Sequence, residues 1–222
     1  TFAPKPIVAK LDFLSGDFSP TASVDRARVE ARYMASTGMP WDLMAWGFNN
    51  PPNTGHSLKP AVQLQQEAAV VLMQGGGFQI YNTPTRSGYI VDEIIETAGQ
   101  VADFCRARQQ VSHRSTSVPQ VALLLSSATQ FDRSDAVFGA WGCMDELEGA
   151  LDALAELHYS VDILAEHQLE PRLEEFPLVV IPDSYKLDEE FRQALLEYVS
   201  EGGKLLLLGL SLIHISAPTR QA

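Results

Sequence analysis

Leu178-Val179-Val180-Ile181-Pro182, then helical spacing over residues 188–201, then Lys204-Leu205-Leu206-Leu207-Leu208 reads as strand, helix, strand. Two short, wholly apolar runs on either side of a single helix predict strands buried on both faces. The helix between them is a crossover, so the strands run parallel. Toward the N-terminus the pattern repeats, with a strand over 121–126, a helix over 144–157 and a strand over 161–165. The second half of the chain therefore reads as an α/β, doubly wound open sheet.

The first half alternates in the same way. A run over 8–18, interrupted by Asp12 and closed by Ser15-Gly16-Asp17, predicts a strand with Asp17 at its C-terminal end. Val24, Ala27, Ala31 and Met34 or Ala35 recur at helical spacing over 24–37, and Gly38 supplies the stop. A strand over 40–46 and a long polar loop over 47–58 follow. Pro60 suits the first turn of a helix over 61–74, which Gly75-Gly76-Gly77 ends. A strand over 78–81, a loop over 82–88 and a helix over 91–108 complete this half. Residues 111–119 are rich in Ser and Thr and lack apolar periodicity, which places a boundary there. The domains expected are 1–117 and 118–209.

Composition narrows the function classes. The chain has 222 residues and a formal charge of −12, with acidic residues crowding between Asp145 and Glu201. A solvated acidic face of this kind argues against nucleic acid or an anionic membrane as partner. No run approaches the roughly 18 apolar residues of a membrane span. No basic-then-apolar leader opens the chain, but it opens on Thr1 and is expected to be a piece of a longer one, so that absence says nothing of the longer protein's compartment, for which the cytoplasm is favoured. Cys105 and Cys143 stand far apart with no metal-type spacing, and both read as free thiols. Gly75-Gly76-Gly77 precedes a strand instead of opening a helix, so it is no phosphate cradle. Neither a metal nor a cofactor is expected.

Barrel enzymes gather their chemistry where strands end at the C-terminal face. The residues expected there are Asp12, Asp17, Asp42, Trp46, Tyr81 and Asn82. Asp17 and Asp42 are the candidate catalytic carboxyls, since glycoside hydrolysis takes one acid and one nucleophile or base. Trp46 offers a flat face for a sugar ring, and Asp12, His56, Tyr81 and Asn82 complete the candidate substrate contacts. Each has a plainer reading too: an Asp after a strand is often a turn or cap residue, Trp46 could simply pack, and His56 could be a solvated loop histidine. Gly142-Cys143-Met144 invites comparison with a nucleophile turn, but residues 131–141 before it read as loop where that turn needs a strand.

Several of these motifs carry a family resemblance. Ser15-Gly16-Asp17-Phe18-Ser19-Pro20, Pro40-Trp41-Asp42-Leu43-Met44, Lys59-Pro60, Gly75-Gly76-Gly77-Phe78-Gln79-Ile80-Tyr81 and residues 101–108 resemble the end of a family 42-related glycosidase barrel. The subgroup they resemble is the hypothetical glycoside hydrolases and α-L-fucosidases of family 151. Residues 119–209 are similar to the β-galactosidase trimerisation domain. The resemblance implies the last third of a (β/α)8 TIM barrel followed by a flavodoxin-like (class I glutaminase-like) sheet, an oligosaccharide substrate and a homotrimer when full length. It also implies a glutamate nucleophile where this chain has Ala45, and an acid/base on an earlier strand. The fragment is therefore expected to be inactive alone.

Two rival readings stay open. One is a non-catalytic oligomerisation or carbohydrate-binding protein with a degenerate barrel. The other is an amidotransferase-like enzyme in which Cys143 would need His158 or His167 beside it. Residues 210–220, Leu-Ser-Leu-Ile-His-Ile-Ser-Ala-Pro-Thr-Arg, resemble the translated end of a transposon adaptor, with Ala217 where that pattern carries Glu. Residues 210–222 are accordingly expected to be a non-native tail and His214 no ligand; a genuine terminal strand with a basic tail is the alternative.

Overall fold

The structure, a computed structural model, describes residues 10–49, 55–133 and 144–209. Cys143, most of the loop before it, and the tail from 210 onward lie outside the described residues. Contacts divide the chain into two compact units, Thr1–Ser117 and Val118–Ala222.

In the first unit, β1 (Leu14–Asp17), α1 (Ser23–Ser36), β2 (Trp41–Trp46), the short β3 (Phe48–Asn49) and β4 (Ser57–Leu58), α2 (Ala61–Leu72), β5 (Gly77–Tyr81) and α3 (Asp92–Ser112) follow in order. β1, β2 and β5 form a parallel sheet with β2 in the middle. Side chains alternate across it. Leu43 and Ala45 point to one face, where they are fully buried with Ala27, Ala31 and Met34 of α1, Leu64, Ala68 and Val71 of α2 and Val101 of α3. Gly76 fits here because a Cβ would run into the Trp41 ring. α1 stops where Thr37 Oγ1 bonds the Met34 carbonyl (2.6 Å) and Gly38 takes φ 72°. The loop expected over 47–58 contains the antiparallel pair β3–β4, and α3 runs to Ser112, into the stretch read as a boundary.

In the second unit, β6 (Val121–Leu124), α4 (Ser127–Arg133), α5 (Asp145–Glu156), β7 (Val161–Leu164), α6 (Glu166–Leu169), a 3-10 turn (Glu170–Glu175), β8 (Leu178–Pro182), α7 (Glu189–Ser200) and β9 (Lys204–Leu208) build a parallel sheet of order β7-β6-β8-β9. Ala122, Leu124, Leu164, Val179 and Ile181 pack with Phe191, Leu195 and Tyr198 into one core. The alternate residues Val121, Leu123, Ile163 and Val180 are buried as well, as strands covered on both faces require. α7 begins at Asp188, whose Oδ1 accepts from the Glu190 and Phe191 amides (3.0 and 3.3 Å). One expectation is corrected: β9 is not buried on both faces. Among the described residues it is an edge strand paired only with β8, and Leu206 and Leu207 are 43% and 40% exposed.

Candidate functional site

Because β1, β2 and β5 are parallel and in register, their last residues reach the same end of the sheet. Asp17 pairs with Met44, and Trp46 with Tyr81. Asp17, Trp46 and Tyr81 also share the face opposite Leu43 and Ala45, the face the helices leave uncovered.

The contacts follow from that placement. The Trp46 indole N–H donates to Asp17 Oδ2 at 3.0 Å. Its ring meets Tyr81 edge-on, centroids 5.9 Å apart at 66°, and lies tilted against Phe48 at 5.5 Å. Phe48 in turn stacks on His56, 4.5 Å apart and 20° from parallel. His56, the candidate from the polar loop, is thus brought to the cluster.

The chain turns sharply after Trp46. The Gly47 amide bonds the Tyr81 carbonyl (2.7 Å), and the Lys59 amide bonds the Gly47 carbonyl (3.0 Å). Asn82 lies against Gly47 so closely that a Cβ there would overlap its carboxamide, and Asn82 Oδ1 is buried with no hydrogen-bond partner.

Asp12 and Asp42 do not join this group. Asp12 is exposed, two residues before β1 begins, and Asp42 is the second residue of β2, opposite Ser15 and Gly77. Both stand at the N-terminal ends of their strands, because each precedes most of the run that forms the strand. Asp42 Oδ1 accepts from the Ser15 hydroxyl at 2.6 Å. Ala45, where the resemblance implies a nucleophile, is fully buried on the helix side. In this register a carboxyl at 45 would enter apolar core and miss the strand-end cluster.

A buried polar triad escaped the sequence reading. Lys59 Nζ bonds Glu67 Oε1 at 2.8 Å with both side chains fully buried, and the Ser23 hydroxyl bonds the same oxygen at 2.6 Å. Glu67 Oε2 is buried without a hydrogen-bond partner. This triad ties α1 and α2 to the residue that holds the Gly47 turn.

The strand ends of the second unit are filled differently. Buried Glu166 accepts from the Ser126 hydroxyl (2.7 Å) and from the Ser127 and Ala128 amides (2.8 and 3.4 Å). Ser126 Oγ also reaches the Lys186 carbonyl (2.8 Å) and accepts from the Thr129 amide. A carboxylate of the chain itself therefore occupies the start of α4, and the serine hydroxyl is committed. His158 follows α5 and His167 lies in α6, while Cys143 is outside the described residues. Among the described residues no three His, Cys, Asp or Glu gather as a metal site, and no helix is long and apolar enough to cross a membrane.

No protein-family model matches the chain, and no curated protein does. Solved structures do. An α-L-fucosidase isoenzyme 2 from Paenibacillus thiaminolyticus superposes with a TM-score of 0.73 at 21% identity, over 91% of this chain and 30% of that one. A β-galactosidase from Rahnella sp. R3 gives 0.70 at 17%, and a GH42 β-galactosidase from G. stearothermophilus gives 0.68 at 16%, each over 91% of this chain and 33% of its own. The chain spans about a third of the length of these structures. Its fold is thus an α/β fold related to that of glycoside hydrolases, with parallel sheets.

Proposed function

We propose that the chain is the C-terminal part of a glycoside hydrolase. On this reading the first unit is the last three β/α repeats of a (β/α)8 TIM barrel, and the uncovered face of its sheet looks into the barrel. The observation that carries the reading is the convergence of Asp17, Trp46 and Tyr81 on that face at the C-terminal strand ends. That is where barrel enzymes bind substrate. The substrate proposed is a terminal α-L-fucoside or β-D-galactoside of an oligosaccharide, in keeping with the enzymes whose folds superpose.

The reaction needs two carboxyls across the scissile bond. Asp42 lies two register positions behind Asp17, roughly 7 Å back along the strand direction, and is bonded to Ser15. Three parallel strands do not close a barrel around a glycosidic bond, so on this reading the chain alone should turn over no substrate. The second unit, with order β7-β6-β8-β9, suits a flavodoxin-like assembly domain. Its committed Ser126 and Glu166 favour assembly over catalysis, and a homotrimer with closed cyclic symmetry is the proposed state of the longer protein. The cytoplasm is its proposed compartment.

Incubating the purified chain with nitrophenyl α-L-fucoside and nitrophenyl β-D-galactoside tests this. The expected result is no nitrophenol release together with quenching of tryptophan fluorescence by one glycoside. Turnover by the chain alone would refute the division of labour, and absence of any binding would refute the sugar site.

A further inference from the structure

We infer that Asp17 is a positioning residue that holds the Trp46 indole as a wall for the apolar face of a neutral pyranose. The inference rests on the glycosidase reading and adds to it which side chain orients the sugar platform.

An indole has a single polar atom, its N–H, and a partly buried tryptophan generally finds that group a partner. Here the partner is a carboxylate on the neighbouring strand, and the 3.0 Å bond crosses from β2 to β1. Charge-assisted bonds of this kind are about twice as strong as neutral ones. The remaining edges of the ring are flanked by Tyr81 at 5.9 Å and Phe48 at 5.5 Å. Phe48 is buried, and His56 stacks on it. The indole is thus held at its N–H edge by a polar contact and flanked by the Tyr81 and Phe48 rings. Without Asp17 the N–H of the half-buried indole loses this acceptor to water, and the polar contact that sets the ring's angle is gone.

A neutral pyranose presents C–H groups on one face, which a fixed aromatic ring can stack against without desolvating a charge. Fixing the ring beforehand removes an ordering cost from binding. Asp17 thus acts on the sugar through Trp46, by geometry, and what it must supply is an acceptor oxygen at that point.

Asparagine at position 17 keeps such an acceptor and loses the charge; alanine loses both. The test uses the whole chain, two readouts and four proteins: wild type, Asp17→Asn, Asp17→Ala and Trp46→Phe. The first readout is the Trp46 indole N–H resonance, assigned by its disappearance in Trp46→Phe. The second is titration with methyl α-L-fucoside and methyl β-D-galactoside. Asp17→Asn should keep affinity within about threefold and an indole resonance near the wild-type position. Asp17→Ala should weaken binding by about tenfold or more and move the indole resonance toward the solvent-exposed position. Equal loss in Asp17→Asn and Asp17→Ala would overturn the inference, since charge would then be what binds. Unchanged indole resonance and affinity in Asp17→Ala would overturn it too. A wild-type chain that binds neither glycoside, yet shows the expected indole shifts, would refute the glycosidase reading and leave the Asp17–Trp46 contact standing.

Discussion

Replacing Lys59 with methionine should destabilise the first unit far more than replacing Lys59 and Glu67 together. Both side chains are fully buried and the Nζ–Oε1 distance is 2.8 Å. At an effective dielectric of about 20, that separation corresponds to an attraction of about 6 kcal/mol, set against a desolvation cost of several kcal/mol for each ion. The pair is therefore near neutral as a unit, and its halves are not. Lys59→Met leaves the Glu67 carboxylate in the core with only the Ser23 hydroxyl at 2.6 Å, and Oε2 still unpartnered. Breaking a buried pair in this way costs about 3–5 kcal/mol, whereas apolar replacement of both partners is often neutral or stabilising. Urea denaturation of wild type, Lys59→Met and Lys59→Met/Glu67→Leu measures this, with the midpoint read from the first unit's tryptophans. The expected order places the single variant lowest, with the double variant within about 1 kcal/mol of wild type or above it. A single variant that loses less than about 1 kcal/mol, or a double variant less stable than the single, would mean that Lys59 does not compensate a buried Glu67 charge.

Gly47→Ala should cost about 1–3 kcal/mol, because the added methyl meets the Asn82 carboxamide at the turn that follows Trp46; thermal unfolding checks this, and a neutral result would mean that Asn82 moves freely. Glu189 is held down at a pKa of about 2 by its hydrogen bonds to Arg192 and then Gln193. A depressed carboxyl contributes stability that is present above the ordinary glutamate range and lost as pH falls through about 2. An NMR titration should find the Glu189 carboxyl changing there, and Arg192→Met should return it to the ordinary range; wild-type Glu189 titrating together with the other exposed glutamates would contradict the contact.

The parallel alternation of strands and helices was legible because it rests on hydrophobic period, which a strand of four residues or a helix of three turns displays on its own. Leu178–Pro182 and Lys204–Leu208 fall where the apolar runs predict them. The exposure of Leu206 and Leu207 was not legible, since a strand's place in the sheet order is set by its neighbours. α4, α6 and the 3-10 turn were missed because one or two turns give periodicity nothing to work with. β3 and β4, two residues each, likewise vanish into a polar loop. At the site, Asp17, Trp46 and Tyr81 could be placed because strand ends coincide with the ends of apolar runs. Asp42 was put at the wrong end: a run's composition shows its extent, while the end that bears a given residue depends on where pairing starts, here at Trp41. The Lys59–Glu67–Ser23 triad joins residues 8 and 44 positions apart, a tertiary contact with no local signature. Phe48 joined the aromatic cluster only once the Gly47 turn was visible.

That the strand-end cluster of the first unit forms a carbohydrate wall is open to direct test by saturation-transfer NMR. With the chain irradiated and methyl β-D-galactoside or methyl α-L-fucoside in excess, the ring protons of the sugar's apolar face should receive the strongest saturation. The effect should vanish in Trp46→Ala while that variant keeps its folded spectrum. Absence of transfer to either glycoside, or transfer that persists undiminished without the Trp46 ring, would contradict the claim.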